Sequence, residues 1–215
     1  MGGSVTMKEA FRKLPEEKRA RVVDAALREF GRHGYDSASL DRLVRAAGIS
    51  KGGLYEYIGS KQDLFVYLAE HSYDALYRFI SDHIGGESGL PADLVERVAL
   101  VSRVAVDFYL KHPEIIGFIS RSSDTNDLHL KRRIQEIFEN HYDGIFGDAD
   151  WSVLEFDRER VLGLLKWLLV RTRNSFLRSR KALRNKALCK AAYLEEWDFH
   201  LRILRRGIYK EGLGR

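Results

Sequence analysis

Apolar residues recur three and four positions apart along most of the chain, a spacing that predicts helices rather than strands. Ser39 can cap one such helix with its hydroxyl. The apolar stripe that follows it comprises Leu40, Leu43, Val44 and Ala47. Gly48 can adopt the left-handed conformation that ends a helix, and Ser50 can cap a second helix in which Leu54 and Ile58 face inward. The pattern predicts two short helices joined by a tight turn.

The second of these short helices has an outward surface that is basic and aromatic. Its outward positions are Lys51, Gly52, Gly53, Tyr55, Glu56 and Tyr57. A short helix of this character, braced by a partner helix, has the geometry that enters a DNA major groove. Ser60 can cap the next helix with Lys61 in its first turn, and a helix N-terminus that carries a lysine can bind a phosphate.

The same spacing predicts further helices on both sides of this segment. They run from Pro15 to Gly34, from Ser60 to about His83, from Pro91 to about Tyr109, from Glu114 to Ser120, from Leu128 to about Tyr142, from about Asp157 to Arg178 and from about Lys186 to Tyr209. No alternating strand pattern stands out and prolines are few, so we expect an all-α protein. Residues 1–13 are expected to form a flexible basic arm, because Lys8, Arg12 and Lys13 precede the first predicted helix.

The balance of charges suits a polyanionic partner. The formal net charge is +5, a modest excess that supports DNA binding only in combination with other features. The single cysteine, Cys189, cannot form a disulfide within the chain, which is typical of a reducing compartment. The most apolar run, from Val161 to Val170, contains Lys166 and is too short to span a bilayer. We therefore expect a cytoplasmic protein without a membrane partner.

The sequence lacks the residue patterns of catalytic and metal sites. Its seven histidines are scattered, without a pair at metal-binding spacing, and neither an HExxH nor a CxxC motif occurs. No G-x-S-x-G motif or phosphate-binding loop supplies a nucleophile or a nucleotide site. We therefore expect no metal, no cofactor and no enzymatic activity.

Several features recur at fixed spacing between Arg21 and Phe65. An apolar helix leads into a turn that contains Phe30, Gly34 and Tyr35, and the sequences A-A-G-I-S-K-G and L-Y-x-x-I-x-S-K-x-x-L follow. In these features the segment resembles the DNA-binding domain of the TetR family of transcriptional regulators. The resemblance implies an N-terminal three-helix helix-turn-helix DNA-binding domain and a C-terminal helical ligand-binding and dimerisation domain.

Carried over to this chain, the resemblance divides it into domains of residues 14–60 and 61–215. It also implies a homodimer in which the last two helices of each copy form a four-helix bundle. Apolar residues on more than one face of these two helices agree with that expectation.

The resemblance further implies which residues contact DNA. The expected DNA-binding residues are Ser39, Arg42, Ser50, Lys51, Gly52, Gly53, Tyr55, Glu56, Tyr57 and Lys61. Gly53 departs from the family pattern, which usually has Thr, Ser or Ala, so base specificity is expected to shift to Lys51, Arg42 or Glu56. Glu56 can accept a hydrogen bond from cytosine or point sideways into solvent, and the sequence leaves both open.

Six aromatic residues beyond residue 61 are predicted to line a ligand cavity between helices, with ordinary core packing as the alternative for each. They are Tyr73, Phe108, Phe118, Phe138, Tyr142 and Trp167. A cavity with such walls would take a small apolar effector. The basic run from Arg171 to Lys190 contains no Asp or Glu, and is either a solvated loop or a site for an anionic ligand tail.

These observations predict a dimeric, ligand-responsive transcriptional repressor. It would bind a palindromic operator in double-stranded DNA and be released by a small apolar or amphipathic effector. One alternative is a non-specific architectural DNA-binding protein without an effector. A second is an acyl-coenzyme A-sensing regulator of lipid metabolism, and no residue distinguishes repression from activation.

Overall fold

The computed structural model describes residues 7–84, 89–182 and 185–210, and these residues form ten helices. In chain order they are α1 (Glu9–Arg12), α2 (Glu16–Ser37), α3 (Leu40–Ala47), α4 (Lys51–Tyr57), α5 (Lys61–Ile84), α6 (Leu94–Lys111), α7 (Pro113–Ile119), α8 (Leu128–Phe146), α9 (Arg158–Ala182) and α10 (Lys186–Gly207). Within the described ranges, β-type pairing is limited to an isolated bridge between Leu154 and Tyr209. The predicted all-α fold class is confirmed.

The chain divides into two compact units. Unit 1 contains the described residues up to Ala75 together with His112–His141, and unit 2 contains those of Leu76–Lys111 and Tyr142–Arg215. Unit 1 is larger than the predicted domain of residues 14–60, because α7 packs against α2 and the first part of α5 belongs to the same unit.

Local sequence signals determine where α3 and α4 begin and end. The Ser39 hydroxyl accepts a hydrogen bond from the Arg42 N–H at 3.4 Å, and the Ser50 hydroxyl accepts one from the Gly53 N–H at 3.0 Å. Gly48 ends α3 in the left-handed region with φ of 67°, a conformation that only glycine adopts without steric cost. Leu54 and Ile58 are fully buried below α4, as predicted.

The start of the chain differs from the flexible arm that was predicted for residues 1–13. Residues 1–6 lie outside the described residues, but Glu9–Arg12 form α1, and Met7 and Phe11 are buried. The physical reason is that Phe11 packs its ring against Tyr57 in α4 and Tyr67 in α5, so the segment has apolar contacts that hold it in place.

Unit 2 is built around the packing of α10 against α6 and α9. The buried guanidinium of Arg97 in α6 donates to the carbonyl oxygens of Pro91 at 2.6 Å and Ile145 at 2.8 Å, and it also pairs with Asp148. The hydrogen bond from Arg97 to Asp148 holds the pKa of the Asp148 carboxyl below its usual value. Arg97 therefore fixes the beginning of α6 to the end of α8 within this unit. Asp93 accepts the Glu96 N–H at 2.8 Å, so α6 begins at Leu94 and not at the predicted Pro91.

Candidate nucleic-acid interface

The outward surface of α4 combines a cation, an aromatic side chain and a stretch of backbone that no side chain covers at Gly52. Lys51, Gly52, Tyr55 and Glu56 are exposed, and the Tyr55 side chain is 43% accessible. A Cβ added at Gly52 would meet no atom within 4 Å. Because glycine has no side chain to hold a ligand away, a nucleic acid can approach the first turn of α4 closely.

Lys51 connects the two short helices on this surface. Its ammonium lies 2.9 Å from a carboxylate oxygen of Asp41 in α3, and both side chains remain more than half exposed. The hydrogen bond to Asp41 raises the pKa of Lys51. An exposed ion pair of this kind contributes little to stability, so Lys51 can exchange Asp41 for a phosphate at small cost.

Arg42 was predicted to contact DNA, and this stays a prediction; its side chain is half-exposed, and its guanidinium has partners within unit 1. It donates to both carboxylate oxygens of Glu29, at distances from 2.6 to 3.2 Å, and to the carbonyl oxygen of Ser37. The Glu29 carboxylate also accepts the Ser39 N–H at 2.8 Å. Burial raises the pKa of Glu29, but the hydrogen bonds from Arg42 and Ser39 lower it more, so the pKa lies below its usual value. The pair therefore fixes the start of α3 against α2.

Replacing Glu29 with glutamine is expected to lower the free energy of unfolding at neutral pH by about 1–3 kcal/mol, because the half-exposed Arg42 loses its charged partner. The carboxylate has a lowered pKa in the folded protein, so its contribution is complete above the unfolded pKa and is lost as the pH falls through the folded value. The difference between wild type and Glu29→Gln should therefore shrink below the ordinary pKa of 4.5. Urea unfolding at several pH values measures it.

Glu17→Gln is a suitable control for this prediction, because Glu17 is exposed on the same helix. It should change stability by no more than about 0.5 kcal/mol at any pH. A Glu29 variant that matched this control at neutral pH would show that the ion pair between Glu29 and Arg42 does not stabilise α3.

Tyr57 was predicted to lie on the outward surface of α4, and this prediction is wrong. Its side chain is only 7% exposed, and its ring centroid lies 6.2 Å from that of Phe11 in α1. The ammonium of Lys18 lies 5.7 Å from the centroid of the Tyr57 ring. Because α1 covers this end of α4, Tyr57 belongs to the core of unit 1 and cannot reach a phosphate from this position.

Lys61, the predicted phosphate clamp, also has partners within the protein. Its ammonium donates to the carbonyl oxygen of Ala38 at 2.8 Å and lies 4.8 Å from the centroid of the Tyr35 ring. Burial lowers the pKa of Lys61. The amine still has donors to offer, so its contact with DNA stays a prediction.

Three of the predicted ligand-binding aromatics lie in unit 1. Tyr73 packs against Phe138, with ring centroids 5.7 Å apart. Phe118 packs edge-on against Phe65 at 5.1 Å and against Phe30 at 6.5 Å, below the three-helix core. Phe118 therefore takes part in ordinary core packing, which was the alternative for it.

The other three predicted ligand-binding aromatics lie in unit 2 and have different surroundings. Phe108 packs against Phe79, and Tyr142 packs against Phe146 at 4.6 Å. Trp167 is 59% exposed on α9, so it does not occupy a position between helices as a cavity wall would. The six residues are thus divided between the units, and their role in ligand binding stays a prediction.

Sequence reasoning missed a cluster of buried aromatic side chains in unit 2. Its members are Tyr109, Phe176, Tyr193 and Trp197, with successive ring centroids 5.5 to 6.4 Å apart. No acceptor meets the full hydrogen-bond geometry at the Tyr193 hydroxyl or the Trp197 indole N–H among the described residues, although the side chains of Tyr109, Thr172 and Trp197 lie close enough to Tyr193 to affect its hydroxyl. Burial raises the pKa of Tyr193, so its hydroxyl remains a donor. Buried donors of this kind call for an acceptor.

Unit 2 also presents an apolar face to solvent, formed by α9 and α10. Its exposed large apolar side chains are Leu164, Trp167 and Val170 on α9 and Leu188, Phe199 and Ile203 on α10. A groove of about 400 Å³ between the two helices adjoins this face and includes Phe156 and Leu164. Contiguous exposed apolar surface is typical of a protein-protein contact.

Residues 7–84, 89–182 and 185–210 contain no group of three or more His, Cys, Asp or Glu side chains placed to hold a metal ion. None of the helices in the same ranges is long and apolar enough to cross a membrane.

The two capped helices, the turn at Gly48 and the exposed surface of α4 define a helix-turn-helix DNA-binding domain. Residues 22–68 match the family model for bacterial regulatory proteins of the tetR family. An HTH-type transcriptional repressor of Streptomyces coelicolor, SCO4008, is 26% identical over 173 residues, which cover 69% of this chain and 84% of that protein. Over residues 22–68 the chain thus matches the DNA-binding segment of the TetR family of transcriptional regulators.

Solved structures show the same fold along most of the chain. A TetR family transcriptional regulator from Chloroflexus aurantiacus superposes with a TM-score of 0.69 and 23% identity, over 96% of this chain and all of that one. FadR from Bacillus subtilis, solved in complex with stearoyl-CoA, superposes with a TM-score of 0.64 and 18% identity, over 83% of this chain and 96% of that one. The proteins that the chain resembles over these lengths are transcriptional regulators.

Proposed function

We propose that the protein is a homodimeric repressor that binds a palindromic operator through two copies of α4 and leaves it when an effector binds. The observation that carries the proposal is the outward surface of α4, where Lys51 and Tyr55 are exposed beside the bare backbone at Gly52. The similarity to a curated repressor along most of its length supports repression. In such proteins each α4 reads one half-site, and half-sites lie about one helical turn or more apart.

The apolar face on α9 and α10 supports the homodimer. Leu164 and Trp167 on α9 and Ile203 on α10 are exposed in the single chain, although leaving them in water costs free energy. A second copy of the same face would cover them around a two-fold axis, which is the arrangement that a palindromic operator requires. Two helices from each copy would then form a four-helix bundle.

The aromatic cluster of unit 2 supports an effector with an apolar body and a hydrogen-bond acceptor. The Tyr193 hydroxyl and the Trp197 indole N–H can both donate to such an acceptor, and aromatic rings surround them. α5 begins directly after the DNA-binding helices and continues into unit 2, so an effector that prefers one arrangement of α5 shifts the population of DNA-binding molecules. A compound that releases DNA should change the fluorescence of wild type more than that of Trp197→Phe.

A coenzyme A thioester is a second candidate for the effector. The structure of FadR that contains stearoyl-CoA shares this fold, and Arg171 and Arg178 are exposed in the C-terminal half of α9. Within the same basic run, Lys190 pairs with Asp107 at 2.6 Å, while the side chains of Lys181 and Arg184 lie outside the described residues.

If a coenzyme A thioester is the effector, the Arg171→Ala, Arg178→Ala double variant should bind stearoyl-CoA about tenfold more weakly than wild type, because two phosphate-binding cations are lost. Isothermal titration measures the two affinities. Equal binding, or no binding by either protein, removes this candidate.

Selection of bound duplexes from a randomised library tests the main proposal. We expect the selected sites to be two-fold symmetric and to bind at least about a thousandfold more tightly than random duplex of the same length. Sites without symmetry, or a small ratio of specific to non-specific affinity, would support the architectural alternative instead.

Lys51→Ala should reduce the dependence of operator affinity on salt. A lysine that contacts one phosphate contributes about 0.9 to the slope of log affinity against log salt concentration, so the slope should fall by that amount. Fluorescence anisotropy at several salt concentrations gives the slope. Lys13→Ala serves as the control, because Lys13 pairs with Glu9 outside the helix-turn-helix and should leave the slope unchanged.

A further inference from the structure

Helix α4 is too short and too rich in glycine to be stable alone. It has seven residues, of which Gly52 and Gly53 each disfavour the helix by about 1 kcal/mol relative to alanine. Isolated helices of this length do not form in water. Its N-terminus is capped by Ser50, but the carbonyl groups of its last turn also need partners. The rest of unit 1 must therefore hold the C-terminal end of α4.

Lys8 supplies these partners from the segment that begins the described chain. Its ammonium donates to the carbonyl oxygen of Tyr55 at 2.7 Å, and its backbone N–H donates to the carbonyl oxygen of Tyr57 at 3.0 Å. Both acceptors belong to the last turn of α4. A cation at this position also interacts favourably with the negative end of the helix.

Phe11 joins the same end of α4 to α5. The Phe11 side chain is 1% exposed, and its ring lies edge-on to Tyr67 in α5 at 5.4 Å as well as against Tyr57. Only Ile58, Gly59 and Ser60 separate α4 from α5 along the chain. Phe11 therefore packs across this three-residue connection, where a change in the angle between α4 and α5 would break its contacts.

We propose that Lys8 and Phe11 are positioning residues, which hold the recognition helix α4 against α5 and so set DNA affinity without touching DNA. The inference rests on the proposed function for its DNA measurements. It differs from the role expected of a basic arm, in which Lys8 would bind a phosphate. The two roles predict different salt dependences: mutation of a phosphate-binding Lys8 would lower the salt slope of DNA binding, whereas mutation of a positioning Lys8 would leave the slope unchanged.

The first experiment compares Lys8→Met with Lys13→Met, which removes the same charge from a lysine that pairs with Glu9 and not with α4. Each variant is titrated with a duplex of about 40 base pairs that wild type has selected from a randomised library. We expect Lys8→Met to bind about three- to tenfold more weakly with an unchanged salt slope, because it loses a hydrogen bond inside the protein. Lys13→Met should bind like wild type, and Lys51→Ala provides the reference for a lysine that contacts phosphate.

The second experiment needs no DNA and measures amide hydrogen exchange in the free protein. The N–H groups of Leu54 and Ile58, which donate within α4, should exchange at least about threefold faster in Lys8→Met and in Phe11→Ala than in wild type. The N–H of Leu43 in α3 should exchange at the wild-type rate in both variants. This internal control distinguishes loosening of α4 from a general loss of stability.

Each outcome decides the proposal. A salt slope that falls by about 0.9 in Lys8→Met would show a phosphate contact, and unchanged affinity or unchanged exchange in α4 would show that Lys8 does not position the helix. Either result overturns the proposal. If wild type binds no duplex at all, the proposed function fails, and hydrogen exchange still decides whether Lys8 and Phe11 hold α4.

Discussion

Replacing Leu164 with glutamate is expected to convert the protein into a monomer and to weaken operator binding by about 100-fold or more. Leu164 is exposed on the apolar face of α9 and α10, and a two-fold axis would place the introduced carboxylates in a desolvated contact. Once the copies separate, each half-site is bound by one α4 alone, and the gain from simultaneous binding is lost. Sedimentation velocity gives the oligomeric state, and titration with the selected operator gives the affinity.

Leu128→Glu is the matched control for this prediction. Leu128 is 76% exposed, lies in unit 1 and is outside the apolar face, so the same substitution there should leave both the dimer and the affinity unchanged. A Leu164→Glu protein that sediments as wild type does would show that the apolar face has another partner.

Tyr55→Ala is expected to reduce operator affinity by about 1–3 kcal/mol, which corresponds to roughly 5- to 150-fold. The side chain of Tyr55 is the large aromatic group that α4 exposes, and it can contact a base edge or a groove wall directly. Its removal leaves the buried Leu54 and Ile58 in place, so the fold should be retained. Anisotropy titrations with operator and with random duplex show whether the loss is specific.

Tyr57→Phe tests the assignment of the two tyrosines. The ring of Tyr57 packs against Phe11, so loss of the hydroxyl alone should change operator affinity by less than about twofold. If Tyr57→Phe weakened binding more than Tyr55→Ala, DNA would contact the surface of α4 that contains Tyr57 and not the surface that exposes Tyr55.

The helix-turn-helix could be predicted from sequence because its signals are local. Ser39 and Ser50 cap their helices through hydroxyls that reach N–H groups three residues later, and Gly48 takes the positive φ that its residue type allows. Each of these interactions depends on residues within one turn of helix. Spacing and residue type are therefore sufficient to locate them.

The burial of Tyr57 and the ion pair of Arg42 could not be predicted in the same way, because each depends on a residue in another helix. Tyr57 is buried by Phe11, which lies 46 positions earlier in a segment predicted to be mobile. Arg42 is held by Glu29 from the preceding helix. Periodicity shows which residues of a helix share a face, but it does not show which neighbouring element covers that face.

The ligand-binding residues were harder to predict from sequence, because the wall of a cavity and a packed core have the same composition. Phe118 and Trp167 were both predicted to line a cavity, yet Phe118 packs in the core of unit 1 and Trp167 is exposed. The buried donors of Tyr193 and Trp197 gave no signal in the sequence, because hydrogen-bond satisfaction depends on the surrounding geometry.

The two glycines of α4 differ in a way that matters for engineering altered specificity. A Cβ at Gly53 would lie 3.1 Å from the Ser50 hydroxyl that caps α4, so this hydroxyl would have to shift by a few tenths of an ångström, whereas a Cβ at Gly52 would enter open space. Neither position has a positive φ. A mutant library that varies residue 52 can therefore add new base-reading side chains to the scaffold, and most of them would also favour the helix over glycine.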